Sequence, residues 1–320
     1  MASKVKVALI GAGGMANSVH YPSLATFDDV ELVGLCDLMP DKLKATAEKY
    51  GIKKTFSDYK KMIEDTAPDA LYVLMPPHHL FDIAIHALTN KINLFMEKPP
   101  GVTAEQTRQM ARCAERNGCI TLVGFNRRYI PLLRQVRDMV LDRGGPMLQV
   151  LSCFFKWHTG GPYYNGAIDI LSCDAVHAVD TIRFLGGDVR KVVGEVSSQG
   201  MSFDTRFNAL MEFENGAAGI LMANWRVGGR IHQFEMHAEG ISAYVNPNAD
   251  AHIYVEGAEK PKRITTQKAA GSDEFRVFYG FEGENRAFID AVKTGQQPET
   301  CLSDAVKTME LVDRIYHERL

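Results

Sequence analysis

The chain has 320 residues, 46% hydrophobic and 23% charged, with 36 Lys plus Arg against 39 Asp plus Glu and a formal net charge of −3. That length predicts about two globular domains, and the charge balance argues against a nucleic-acid footprint or a polybasic membrane patch. No run approaches the roughly 18 apolar residues of a membrane span, which leaves a protein acting on small molecules or on other proteins.

Strand-like and helix-like segments alternate over the first 125 residues or so. Apolar runs at Val5 to Ile10, Val30 to Cys36, Leu71 to Met75, Ile92 to Met96 and Ile120 to Val123 read as five strands. Between them, Asp41 to Tyr50 follows Pro40 and stops at Gly51, and Thr103-Ala104-Glu105-Gln106 opens a helix that stops at Gly118. This grammar predicts βαβ units and a parallel sheet covered on both faces. Beyond residue 125 it changes. A helix near Ile130 to Asp142 leads to an extended run, Leu148 to Trp157, then to a Gly/Tyr-rich loop, Thr159 to Gly166. A helix over Ile170 to Leu185 precedes alternating strands from Val189 to about Thr266, with turns expected at Asn215-Gly216, Gly228-Gly229 and Asn246-Pro247-Asn248. Two helices, Glu282 to Lys293 and Ser303 to His317, close the chain. The fold class expected is α/β: a Rossmann domain over 1–125, then an α+β domain over 126–320 with a large, mainly antiparallel sheet.

Six cysteines, at 36, 113, 119, 153, 173 and 301, form no Cys-x-x-Cys pair and no zinc-finger spacing. They read as free thiols in a reducing, cytoplasmic setting, with no metal expected. His78 and His79, being adjacent, do not share a helix face and read as lining residues rather than a chelating pair.

Gly11-Ala12-Gly13-Gly14-Met15-Ala16 matches G-x-G-x-x-G/A directly after the first strand. Gly11 permits the tight turn, Gly13 a close approach of pyrophosphate, and Ala16 close helix packing. N–H groups of the helix that begins near Gly14 and Met15 would then bind the phosphates. Asp37 ends the second strand, where a carboxylate accepts bonds from ribose hydroxyls. With Leu38 next to it in place of an arginine, NAD is expected over NADP.

These motifs, with Met75-Pro76-Pro77-His78-His79, Glu97-Lys98-Pro99, Gly124-Phe125-Asn126-Arg127-Arg128-Tyr129 and Asp174-Ala175-Val176-His177-Ala178-Val179-Asp180, occur in an order that resembles the Gfo/Idh/MocA oxidoreductases. The resemblance covers essentially the whole chain. It implies hydride transfer between nicotinamide and a hydroxyl-bearing carbon of a sugar, sugar derivative or polyol, and a homodimer or homotetramer joined through an open sheet. It also implies that Lys98 and His177 meet at the substrate, and that Met75, Pro76, His79, Glu97 and Asn126 lie along the cofactor. Arg127, Tyr163 and Tyr164 are expected toward the substrate. Histidine, with a pKa of about 6.5, suits the general base better than lysine at about 10.4, although a lysine beside nicotinamide can share the transfer. The family aspartate four residues before the histidine is Cys173 here, and Asp174, three residues before it, is expected to orient His177 instead. A glycoside hydrolase that retains NAD and a non-catalytic dinucleotide sensor are the competing readings.

Overall fold

Short aliphatic runs separated by capped helices bury their apolar faces in a parallel sheet with helices on both sides. The computed structural model describes residues 4–319. In it β1 (Val5–Ile10), β2 (Val30–Cys36), β3 (Thr55–Phe56), β4 (Ala70–Val73), β5 (Asn93–Met96) and β6 (Thr121–Val123) form one sheet in the order β3-β2-β1-β4-β5-β6. All its pairings are parallel, so the switch point of a doubly wound sheet falls between β1 and β4. The short edge strand β3 lies in a segment without an apolar run, and its existence rests on backbone pairing to Leu35 and Cys36.

Turn chemistry ends the helices. Pro40–Tyr50 is closed by Gly51 at φ 67°, and Ala104–Asn117 by Gly118 at φ 66°. Thr103 Oγ1 accepts from the Gln106 N–H at 3.2 Å, while Gln106 Oε1 accepts from Val102 N–H at 2.8 Å, a capping box displaced by one residue on its return leg.

Two compact units result, and each is described by itself. The first comprises residues up to Phe125 together with Phe281–Val306; the second comprises Asn126–Gly280 and the residues from Lys307 onward. The helix Phe281–Thr294, expected within the second domain, thus groups with the first. Aromatic packing is the reason: Phe288 lies 5.4 Å from Tyr72 and 5.8 Å from Phe95, and Phe281 lies 6.1 Å from His20. A ring buried as completely as Phe288 stabilises by about 1.5–3 kcal/mol.

The second unit contains β7 (Gln149–Trp157), β8 (Val189–Ser197), β9 (Arg206–Phe213), β10 (Ala218–Asn224), β11 (Arg226–Ala238), β12 (Ile241–Val245), β13 (Asp250–Val255) and β14 (Lys262–Thr265). Their order is β14-β13-β12-β11-β7-β10-β9-β8, antiparallel throughout except for β7 with β10. The helices Pro131–Gly144 and Val176–Gly186 pack on one face of this sheet. Two expectations are corrected. Gly228-Gly229 is not a hairpin turn but lies inside β11, where the register to β7 shifts between Arg226 and Ile231. The helix expected over Ile170 to Leu185 opens as a π-helical turn, Leu171–Ala175, before Val176–Gly186 continues as α-helix.

All six cysteines are free, and among the described residues no helix is long and apolar enough to cross a membrane. At the switch point, Leu74 N–H donates to the Ile10 carbonyl at 2.9 Å. Gly11 then turns at φ 105°, and a Cβ there would stand 2.5 Å from the Leu74 oxygen. Gly11→Ala should therefore cost about 1–3 kcal/mol, read from urea unfolding at neutral pH; unchanged stability would show that the turn has another accessible conformation.

Candidate active site

In the first unit, the turn after β1 is held from three sides. Asp37 Oδ2 accepts from the Ala12 N–H at 2.7 Å, and Oδ1 accepts from the Met39 N–H at 2.7 Å. Asn17 Nδ2 donates to the Ala12 and Gly13 carbonyls at 3.1 and 3.2 Å, and the buried Tyr21 hydroxyl donates to the Gly11 carbonyl at 3.0 Å. A Cβ at Gly13 or Gly14 would meet no protein atom within 4 Å, so the backbone there is open to close approach. Each Asp37 oxygen keeps lone-pair capacity for a further donor. Asp37, Leu38, Met39, Met75, Pro76 and His79 line one cavity of about 1000 Å³. Open glycine backbone, a fixed carboxylate and a cavity of this size beside them fit a dinucleotide.

Glu97 and Lys98 follow β5 at the same carboxyl end of the sheet. Glu97 Oε1 bonds His20 Nε2 at 2.8 Å, and Oε2 accepts from the Lys98 N–H at 3.1 Å. Burial by itself would raise the Glu97 carboxyl, but the His20 hydrogen bond and charge, aided by Lys98, outweigh it and hold the group below its ordinary value. Asn285 Oδ1 stands 3.3 Å from His20 Nδ1, and Phe95 meets the ring edge-on at 5.1 Å. His20, Glu97 and the buried Glu284 bring ligand-type atoms within 4.8 Å of one another. Since His20 and the Lys98 N–H already engage Glu97, the arrangement works as a hydrogen-bonded brace for the backbone that carries Lys98.

In the second unit, Arg127 and His177 are both buried, and Arg127 Nη1 lies 2.6 Å from His177 Nε2 and 2.7 Å from Asn126 Oδ1. Guanidinium has only donors, so Nε2 accepts and the imidazole is neutral, with its proton on Nδ1. Asn126 is fully buried and spends its Nδ2 on the Tyr279 carbonyl at 2.9 Å. Arg128 is buried too, in a two-point pair with Asp180 at 2.8 and 2.6 Å that Thr308 completes at 2.9 Å. The neighbouring arginines thus divide: Arg128 serves the interior and Arg127 the histidine.

Asp174 stands on the π-helical turn that precedes His177. Its Oδ2 pairs with Lys156 and accepts from the Tyr163 hydroxyl at 2.9 Å, while Trp225 Nε1 donates to that hydroxyl at 3.0 Å. Burial, then the Asp174 charge, pushes the Tyr163 hydroxyl up, so it remains a neutral donor. Tyr164 is half-exposed at φ 48° on the Tyr163–Gly166 turn.

The sequence reading missed His20, Asn17, Tyr21 and Asn285, although His20 and Asn17 follow the glycine turn by a few residues. It also missed Lys156, Trp225, His232 and Arg230 as members of one neighbourhood, because strand register brings them together.

Residues 5–125 match the family described as "Oxidoreductase family, NAD-binding Rossmann fold", and residues 169–243 match the "GFO/IDH/MocA C-terminal domain". The chain is 34% identical over 140 residues to the D-glucoside 3-dehydrogenase of Escherichia coli, across 44% of this chain and 40% of that protein. It is 25% identical to the scyllo-inositol 2-dehydrogenase (NAD(+)) of Bacillus subtilis across 97% and 93% of the two chains. The crystal structure of a dehydrogenase from Chromobacterium violaceum superposes with a TM-score of 0.90 at 20% identity, covering 99% of this chain and 96% of that one, a likeness of fold.

Removing His20 should expose what it does for Glu97. His20→Ala should destabilise the protein by about 3 kcal/mol, the order seen when one partner of a buried pair is lost. In the wild type, a depressed Glu97 contributes stability that is complete above the ordinary carboxyl value, about 4.3, and is lost as pH falls through the lower folded value. In the variant, burial acts on Glu97 without the histidine to offset it, the folded value rises toward or above the ordinary one, and this acid-dependent loss should shrink. Urea midpoints between neutral and acidic pH measure both effects, and parallel curves for the two proteins would disprove the coupling.

Proposed function

This chain belongs to the Gfo/Idh/MocA oxidoreductases, and from that premise we propose that it transfers hydride between NAD and a hydroxyl-bearing carbon of a sugar, sugar derivative or polyol. The observation that carries the cofactor half is the Asp37–Ala12 hydrogen bond, which ties the open glycine turn to the end of β2 beside the cavity. The relatives named for a D-glucoside and for scyllo-inositol support the substrate class.

Gly13, Gly14 and Met15 would hold the pyrophosphate, Asp37 the ribose hydroxyls, and Met75, Pro76 and His79 the cavity wall, with Glu97 setting the backbone that carries Lys98. Bound NAD supplies the hydride acceptor. Lys98, braced through Glu97, offers an ammonium to the reacting oxygen and stabilises negative charge developing there. His177, neutral with its Nε2 lone pair available as an acceptor, takes the hydroxyl proton. Arg127 Nη1 engages that lone pair, so it must turn aside before His177 can take the proton. Asp174 acts through Lys156 and Tyr163 rather than on His177, and Tyr163 and Tyr164 flank the substrate side. The second unit serves substrate binding and assembly. The sheet face opposite its helices leaves Leu210 59% and Ile231 50% exposed, an apolar surface suited to a second copy of the chain.

The decisive experiment is a screen of sugars and polyols with NAD, followed by the absorbance of reduced nicotinamide. Stoichiometric reduction supports the dehydrogenase, and glycoside cleavage without net reduction would replace it with the hydrolase. On the substrate so found, Lys98→Ala and His177→Ala should each lower kcat by about 10²–10⁴-fold, the usual scale of acid–base groups, with little change in NAD affinity. Near-normal turnover removes the residue concerned from the mechanism. NAD should bind at least about tenfold more tightly than NADP, since a 2′-phosphate would meet the Asp37 carboxylate; titration calorimetry with both dinucleotides decides it, and tighter NADP binding refutes the assignment.

A further inference from the structure

The register of β7 on β11 pairs Phe154 with His232. Side chains alternate along strands, so Lys156 shares a face with Phe154, and Arg230, in the irregular stretch of β11 before Ile231, is brought to the same ring. The His232 ring stacks on Phe154 at 4.2 Å, while Lys156 Nζ and Arg230 Cζ lie 4.9 and 5.8 Å from the same phenyl centroid. Tyr279 joins Arg127 to this group: the Arg127 guanidinium lies 5.3 Å from its ring, and Arg230 Nη2 lies 3.4 Å from its hydroxyl. Three cationic side chains and a histidine are therefore gathered beside His177, with Asp174 paired to one of them, Lys156.

Two members of the group lack the partners their chemistry asks for. His232 is 2% exposed, yet neither ring nitrogen has a hydrogen-bond partner. Burial, followed by the charges of Arg127, Arg230 and Lys156, holds the imidazole neutral, so it presents one unsatisfied N–H. Arg230 is exposed and forms no ion pair with a carboxylate among the described residues. The buried unpaired donor of His232 carries a cost that a ligand oxygen removes, and at Arg230 no carboxylate among the described residues competes for that oxygen.

Resting on the oxidoreductase reading above, we propose that the substrate carries an oxyanion, a carboxylate or a phosphate, which Arg230, Lys156 and His232 receive and which draws Arg127 off His177 Nε2. A planar guanidinium matches either oxyanion with two parallel hydrogen bonds. The oxyanion would be both a binding handle and the means by which the base is uncovered, so a neutral sugar would bind without freeing His177.

The test compares D-glucose, D-gluconate and D-glucose 6-phosphate, together with further matched neutral, acid and phosphorylated sugars, as substrates for the NAD-loaded protein. One charged series should exceed its neutral counterparts by about tenfold or more in kcat/KM, the worth of one charge-assisted contact, and whichever series does so identifies the oxyanion. In Arg230→Met that advantage should shrink severalfold. Neutral sugars turned over as well as charged ones, or an advantage untouched in Arg230→Met, overturns the proposal while leaving the oxidoreductase reading intact. A second arm needs no turnover. Sulfate added to the NAD-saturated protein at constant ionic strength should raise the melting temperature by about 2 °C when it reaches tenfold its dissociation constant. Arg230→Met should show a smaller rise, and equal rises in the two proteins overturn the proposal even if no sugar in the panel reacts.

Discussion

Each oxygen of the Asp37 carboxylate accepts from a backbone N–H group, Ala12 between the glycines and Met39 after the strand. The geometry of the first unit's site depends on this fixation. The turn after β1 has no side chains of its own at Gly11, Gly13 and Gly14, so it cannot hold its shape by packing. Asp37 fixes its N–H side, and Asn17 and Tyr21 fix its carbonyls. With those groups satisfied internally, the N–H groups of the following helix are left for a ligand, and the protein preserves an open surface without leaving the turn loose.

The second unit is organised around a different economy of donors. Arg127 serves Asn126, His177 and the Tyr279 ring at once, whereas Arg128, one residue on, is wholly occupied by Asp180. Two adjacent buried guanidiniums would repel unless each had its own acceptors. Asp180 neutralises one of them with a two-point pair, while the other engages the Asn126 oxygen and the His177 imidazole.

The parallel sheet was legible because each of its long strands is a nearly unbroken apolar run and each helix carries its own stop signal, as at Gly51 and Gly118. β3 was not, since two residues at a sheet edge need no apolar pattern. The glycine turn and Asp37 could be placed because their function is local to a strand–turn–helix unit. The Asp174 contacts with Lys156 and Tyr163 were not legible, because a π-helical turn leaves no periodic signature and these partners come from distant parts of the chain. Gly228-Gly229 misled for a related reason: glycine pairs mark turns and bulges alike, and only strand pairing separates them.

Net charge illustrates the limit of composition most directly. A chain at −3 shows no basic excess, and that balance properly argues against a long polyanion as partner. It is silent on a pocket, because a pocket's charge is set by a handful of side chains that register happens to align. Lys156 and Arg230 are 74 positions apart in the chain and unremarkable there. The pairing of β7 with β11 brings both to the Phe154 ring, while Glu235 falls an odd number of residues from His232 and so projects to the opposite face. A local concentration of cations thus arises in a nearly neutral protein from the pairing of two strands.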